Sequence, residues 1–152
     1  MIWIIVIILA VLVDQITKFI VASNIKDGSH IAVINNFFYI ASSRNKGAAW
    51  GIMQNGRYFF IVITLIVLVV LAKILKDNKN PVLRTAVSLI IGGAAGNLID
   101  RIRTGSVVDF LDFYFGSYNF PTFNAADTCV VVGTILLAYY IMFVYKEKKV
   151  EA

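Results

Sequence analysis

Six of the nine acidic residues, Asp14, Asp27, Asp100, Asp109, Asp112 and Asp127, lie in or beside two connecting segments of an otherwise apolar chain. An aspartate near mid-bilayer costs roughly 2.5–3.5 kcal/mol on insertion scales, so such a chain should not hold several of them without a use. Two invite chemistry. Asp109 follows Gly105-Ser106-Val107-Val108 and precedes Phe110-Leu111, an acid inside an apolar stretch. Asp127 comes three residues after Asn124, at the head of another apolar run. Two carboxyls reaching one site and sharing a proton form an acid/base pair: the ionised one activates water and the neutral one polarises a carbonyl. Such a pair titrates as a unit. The Asn124–Asp127 spacing has a second reading of equal weight, a helix cap with an acid in the first turn, worth about 0.5–2 kcal/mol.

The remaining polar residues read first as structural. Asp14 precedes Lys18 by four positions, the favourable order for an i, i+4 ion pair on a helix. Asp27 with Gly28 marks a turn. Asn97, Asp100 and Arg101 can share one helical face and form a network. Asp112, among aromatics, reads as a solvated partner of Asp109. One cysteine and one histidine exclude an internal disulfide and a Cys/His zinc set, so neither metal nor cofactor is expected. A Ser-His-Asp triad would depend on His30, and no G-x-S-x-G is present. A Ser-Lys pair stays open, although no spacing singles one out. Gly92-Gly93-Ala94-Ala95-Gly96 lacks the Lys-Ser/Thr of a phosphate loop; its G-x-x-x-G spacing points to close helix packing. Cys129 reads as a small buried apolar residue, and Trp3 and Trp50 as interface anchors.

The elements that must position these residues follow from composition. Of 152 residues 59% are hydrophobic and 15% charged, against about 25% charged in a typical soluble domain. Disordered and collagen-like classes are excluded on the same figures. Four runs, about 2–22, 58–76, 82–100 and 127–145, are long enough to cross a ~30 Å hydrocarbon core as helices. Nothing charged precedes Asp14 and no small-x-small site follows closely, so the first run reads as a retained helix rather than a cleavable leader. Lys73, Lys76, Lys79 and Arg84 crowd the second connection, and Lys146, Lys148 and Lys149 follow the last run. The other side also carries seven basic residues, but diluted over longer segments and matched by six aspartates. The denser clusters are expected to be cytoplasmic, with both termini inside. The net charge of +5 then reports membrane orientation and implies no nucleic acid. Residues 30–42 read as a small sheet or hairpin. The aromatics from Phe110 to Phe123 suggest a segment lying in the membrane interface, where Pro121 argues against one continuous helix.

Five motifs in order carry a resemblance: Asp14-Gln15-Ile16-Thr17-Lys18, Asn45-Lys46-Gly47-Ala48-Ala49-Trp50-Gly51, Gly92 to Arg101, Val107-Val108-Asp109-Phe110, and Phe123-Asn124-Ala125-Ala126-Asp127. Over nearly its whole length the chain resembles lipoprotein signal peptidase, also called signal peptidase II. The resemblance implies one all-α integral membrane domain over 1–152, with a small extracytoplasmic β-cradle (about 28–51) and an interfacial periplasmic helix or loop (about 104–120). It implies a bacterial inner-membrane aspartic endopeptidase that removes the signal peptide from diacylglyceryl prolipoproteins, cutting just before the lipid-bearing cysteine. Family catalytic aspartates map onto Asp109 and Asp127. Supporting positions map onto Asp14, Lys18, Asn45, Gly47, Asn97, Asp100, Arg101 and Asn124. The antibiotic globomycin inhibits this family by occupying the site, and a monomer suffices.

Two rivals come from other classes. A small proton-coupled transporter needs polar groups distributed across the membrane, often with a helix broken at the midplane. Here the acids collect at one end, and the second run has only Thr64 inside its long apolar stretch. A purely structural membrane subunit leaves the clustered Asn, Asp and Arg set without a use.

Overall fold

The computed structural model describes residues 1–47, 53–54 and 56–145. The part of the second motif that contains Trp50, and the last basic cluster from Lys146 onward, lie outside the described residues. Four helices carry the chain: α1 (Ile2–Asn24), α2 (Arg57–Asp77), α3 (Pro81–Arg103) and α4 (Ala125–Tyr139). The last runs on through a π-helical turn at Tyr140–Val144, so that all four are long and apolar enough to cross a membrane. In hydrocarbon a backbone must satisfy its own polar groups, which is why these Ile/Leu/Val runs are helical despite many β-branched residues. Local chemistry sets some ends. Asn80 accepts from the Val82 and Leu83 amides at 2.9 and 3.2 Å, with Pro81 at the first helical position.

α3 is the centre of the bundle and packs against α1, α2 and α4. Its glycines make that approach possible. A Cβ on Gly92 would lie 2.6 Å from the Ala10 Cβ of α1. One on Gly93 would collide with the Ala126 carbonyl of α4, and one on Gly96 would lie 2.5 Å from the Asp14 carboxylate. The Gly92–Gly96 stripe is thus a helix-packing device, as its spacing predicts. By contrast α2 buries only Leu71 and turns Val62, Leu65, Ile66, Val69 and Val70 outward. An apolar face of that extent is tolerable in lipid and a liability in water.

The connections between α1 and α2 and between α3 and α4 meet at one end of the bundle. They form an antiparallel sheet in the order β1 (His30–Ile34), β2 (Phe38–Asn45), β3 (Val107–Phe115), β4 (Tyr118–Asn119). The segment expected near 104–120 as an interfacial helix or loop is therefore largely strand. The reason is physical: Val107 to Phe115 is β-branched and aromatic, and its amides find partners in β2 and in Phe123. Phe110 and Leu111 donate to the Phe123 carbonyl at 2.9 and 2.8 Å. Phe38, Phe113 and Phe123 stack across the strands. Pairing of β2 with β3 shifts between Ile40–Leu111 and Ser43–Asp109, where β2 carries an extra residue. That bulge changes which way the later residues of β2 face.

Candidate active site

Asp109 comes from β3, opposite Ser43. Asn45 lies two residues further along β2, a diagonal neighbour on the same face of the sheet. Its amide donates to Asp109 Oδ2 at 3.0 Å. The Asn45 side chain is held in turn, because its Oδ1 accepts from the Gly47 amide at 2.9 Å. Asp109 Oδ1 accepts from Asn124 Nδ2 at 2.7 Å. Both oxygens are thus fixed by amides, and the residue is only 4% exposed.

Asp127 comes from the first turn of α4. Asn124 caps that helix, accepting from the Asp127 amide at 2.9 Å, while Asp127 Oδ2 accepts from the Asn124 amide at 3.2 Å. This reciprocal box is the capping reading of the sequence, and it is realised. It does not compete with a role at the site, because Asp127 Oδ1 is left to accept from Asn97 Nδ2 at 2.8 Å. Asn124, fully buried, links the two carboxylates: its backbone N–H holds Asp127 and its side-chain amide holds Asp109. Asp127 also sits at the positive end of the α4 dipole, which favours negative charge there.

Behind these residues lies a buried polar network. The Lys18 ammonium donates to Asp14 Oδ2 and Asn97 Oδ1 and forms an ion pair with Asp100 Oδ2, each at 2.8 Å. Asn97 Oδ1 also accepts from Asn124 Nδ2 at 3.2 Å, so the Asn97 amide can turn only its nitrogen toward Asp127. Asp14 Oδ1 accepts from the Ala126 amide of α4 at 2.9 Å, tying α1 to the helix that carries Asp127. The sequence reading of Asp14 as a Lys18 partner holds, but it missed this bond. It also missed Gln15, whose Nε2 bridges Asp14, the Gly96 carbonyl and Asp100 at 3.2, 3.2 and 3.0 Å. The only available signal was adjacency to Asp14 in a motif. Arg101 donates to the Gly47 carbonyl at 3.2 Å and lies 5.0 Å from the Phe60 ring centroid.

Asn45, Gly47, Asn97, Arg101, Asp109 and Asp127 line one cavity of about 440 Å³. Its other walls, from Phe120 to Phe123 and along the Val130–Val132 face of α4, are mostly apolar. Asp14, Lys18, Asp100 and Asn124 stand behind it as support. Two further aspartates lie outside this cavity. Asp27 pairs with Arg44 at 3.3 Å at the sheet's edge, next to Gly28 in a left-handed turn conformation. Asp112 is not a solvated partner of Asp109: it is 4% exposed, lies opposite Tyr39, and its Oδ1 has no hydrogen-bond partner among the described residues. Strand structure buries it where a free loop would have left it in water.

Burial, and then the charge of Asp127, push the Asp109 carboxyl up to about 6; the Asn45 and Asn124 amides, and Lys18 beyond them, pull against that rise. The arrangement offers an acid with a raised pKa and a second, helix-end carboxylate lining one mostly apolar cavity. That is a constellation for general acid–base attack of water on a carbonyl.

The family model described as signal peptidase (SPase) II matches residues 6–143. A lipoprotein signal peptidase of Symbiobacterium thermophilum is 44% identical over 142 residues, covering 92% of this chain and 93% of that protein. One from Bacillus pumilus is 45% identical, covering 90% and 89%, and one from Staphylococcus aureus strain JH9 is 46% identical, covering 84% and 79%. Two solved structures, each described as a bacterial membrane enzyme structure by the in meso method, superpose with a TM-score of 0.85. The one at 2.3 Å is 39% identical and covers 96% of this chain and 93% of its own; the one at 1.9 Å is 40% identical and covers 94% of each.

Proposed function

The chain belongs to the signal peptidase II family, and from that premise we propose that Asp109 and Asp127 are the catalytic pair of a prolipoprotein-processing aspartic endopeptidase. Lipoprotein signal peptidases cleave signal peptides from prolipoproteins, so this is a peptide-bond hydrolase. The observation that carries the residue assignment is the double grip of Asn124, which holds one carboxyl through its side chain and the other through its backbone beside a single cavity.

The chemistry follows from the geometry. Asp109 carries the shared proton and donates it to the scissile carbonyl oxygen. Asp127 takes a proton from water, whose oxygen bonds to the carbonyl carbon. The tetrahedral diol then collapses: the C–N bond breaks as the Asp127 carboxyl proton passes to the leaving nitrogen, one diol hydroxyl returns its proton to Asp109, and a new carboxyl group and a free amine remain. The apolar walls exclude bulk water and strengthen these electrostatic effects. The substrate is a signal helix in the bilayer followed by a diacylglyceryl cysteine, and cleavage falls just before that cysteine. Asn45, Gly47, Asn97 and Arg101 position it or the dyad, and Asp14, Lys18, Asp100 and Asn124 brace them. Globomycin, as a cyclic peptide, would fill the same cavity. The protein is a single monomeric membrane domain in the bacterial inner membrane. Its sheet and cavity face outward, and α1 begins and α4 ends on the cytoplasmic side. A proton-coupled carrier would need ionisable groups along its length, whereas the described acids other than Asp77 gather at one end.

The test is cleavage of a purified diacylglyceryl prolipoprotein. The wild-type protein should release mature lipoprotein in a globomycin-sensitive way, and Asp109→Asn and Asp127→Asn should release none while remaining folded and membrane-inserted. Full processing by either variant would reject the dyad.

A further inference from the structure

At the end of the bundle opposite the dyad, α3 begins with a charge that no acid balances among the described residues. Arg84 stands in the opening turn and a half of α3, which carries no acidic residue in its first turn. A cation is unfavourable there, because the helix dipole presents its positive end. Other basic residues inside the fold have partners: Lys18 has two carboxylates, and Arg57 and Arg101 donate to the Ile102 and Gly47 carbonyls. The Arg84 guanidinium makes no hydrogen bond or ion pair among the described residues. Its Nε is nonetheless removed from water. The guanidinium instead lies 5.2 Å from the ring centroid of Trp3, in the first turn of α1. Lys73, Lys76 and Lys79 lie on the same side of the bundle, with Asp77 the one acid there among the described residues.

We propose that Arg84 and Trp3 hold the phosphodiester headgroup of an anionic phospholipid at the end of α1 and α3 remote from the active site. The outer end of a guanidinium, with an N–H from each Nη, matches two phosphate oxygens in a bidentate pair. An anion there also answers the α3 dipole. Trp3 sits where an indole is favoured, at headgroup depth, and it stiffens the Arg84 side chain by cation–π contact. Neighbouring lysines add a negative-headgroup preference of the kind basic clusters give beside membrane helices. Lipid is favoured over free phosphate because both residues belong to helices whose outward neighbours are apolar and lipid-facing. The site is separate from the dyad: Asn97 is thirteen residues beyond Arg84, about 20 Å along the helix.

The experiment measures headgroup selectivity on the full chain. In phosphatidylcholine nanodiscs, added phosphatidylglycerol should raise the apparent Tm of the wild-type protein. Arg84→Gln should bind phosphatidylglycerol about fivefold more weakly by native mass spectrometry, as expected for loss of one interfacial cation. Arg84→Lys, which keeps charge but loses the fork, should fall between. Cleavage activity in phosphatidylcholine alone should be the same for all three. A second readout leaves Arg84 intact: with Trp50→Phe, Trp3 is the one remaining tryptophan, and brominated phosphatidylglycerol should quench it more than brominated phosphatidylcholine. Equal lipid preference in wild type and Arg84→Gln, or equal quenching by the two lipids, would overturn the proposal. So would the same stabilisation by inorganic phosphate alone, which marks a free-anion site, or a fall in Tm from Arg84→Gln in phosphatidylcholine alone that a Glu147→Gln/Glu151→Gln variant reproduces, which assigns the partner to the chain itself.

Discussion

α2 and α3 lie side by side and are both long and apolar enough to cross a bilayer, yet they do opposite work. About 6% of the α2 span is buried against 44% of the α3 span. α2 is the more apolar helix and spends its side chains on lipid. α3 gives up hydrophobicity at Gly92, Gly93, Gly96, Asn97, Asp100 and Arg101, and those positions are where three helices and the polar network converge. In a membrane protein, apolar surface costs little to expose and polar groups cost much to bury. The informative helix is therefore the less hydrophobic one.

The sharpest way to break this contrast is at the polar end α3 supports. Asp109→Asn and Asp127→Asn should each lower kcat at least about 10³-fold, roughly 4 kcal/mol of barrier. Asp112→Asn, three residues from Asp109 but absent from the cavity lining, should stay within about tenfold. Comparable losses at Asp112 would mean that the cavity does not define the site. Next is Lys18→Met. It leaves Asp14 and Asp100 buried without their cation and should destabilise the fold by about 3–5 kcal/mol in denaturant titration of the detergent-solubilised protein. Gly96→Ala presses a methyl on the Asp14 carboxylate and should cost about 1–3 kcal/mol. Ile66→Leu on the exposed face of α2 should stay within about 0.5 kcal/mol in the same assay. Equal sensitivity at Gly96 and Ile66 would erase the distinction between the two helices.

The pH dependence sharpens the same end. Asp109 is raised to about 6 in the folded protein, above the roughly 3.9 of an unfolded chain. Ionisation thus works against the fold: stability contributed by protonated Asp109 is full below about pH 4 and is lost as pH rises through about 6. Asp109→Asn should abolish that loss, read as a smaller drop in Tm between pH 5 and pH 7. For the free enzyme, the alkaline limb of kcat/KM should start near 6, where the dyad gives up its last proton. Asn45→Ala removes a hydrogen bond that favours the ionised form, so it should move that limb upward. A limb unmoved by Asn45→Ala would detach Asp109 from the titration.

Much of the frame was legible in one dimension because its causes are local. Run length and composition decide membrane helices, G-x-x-x-G spacing decides where two backbones can approach, and Asn-x-x-Asp decides a cap. What misled was also local. Residues 104–120 looked like an interfacial segment because aromatics suit both an interface and a strand. Only pairing with β2 and Phe123 selects the strand, and it buries Asp112 as a consequence.

The sequence by itself determined that this chain lives in a membrane, that its acids gather toward one end, and which short motifs carry polar groups. Only the tertiary structure decided how those groups meet. Asn45 reaches Asp109 across 64 positions through sheet register, and Asp14 reaches the Ala126 amide across 112 through helix packing. Such contacts depend on a bulge in β2 and on three glycines in α3, features whose effect is to place distant backbones within a hydrogen bond of one another. Local sequence sets which groups are present; distance between them is a property of the packed whole.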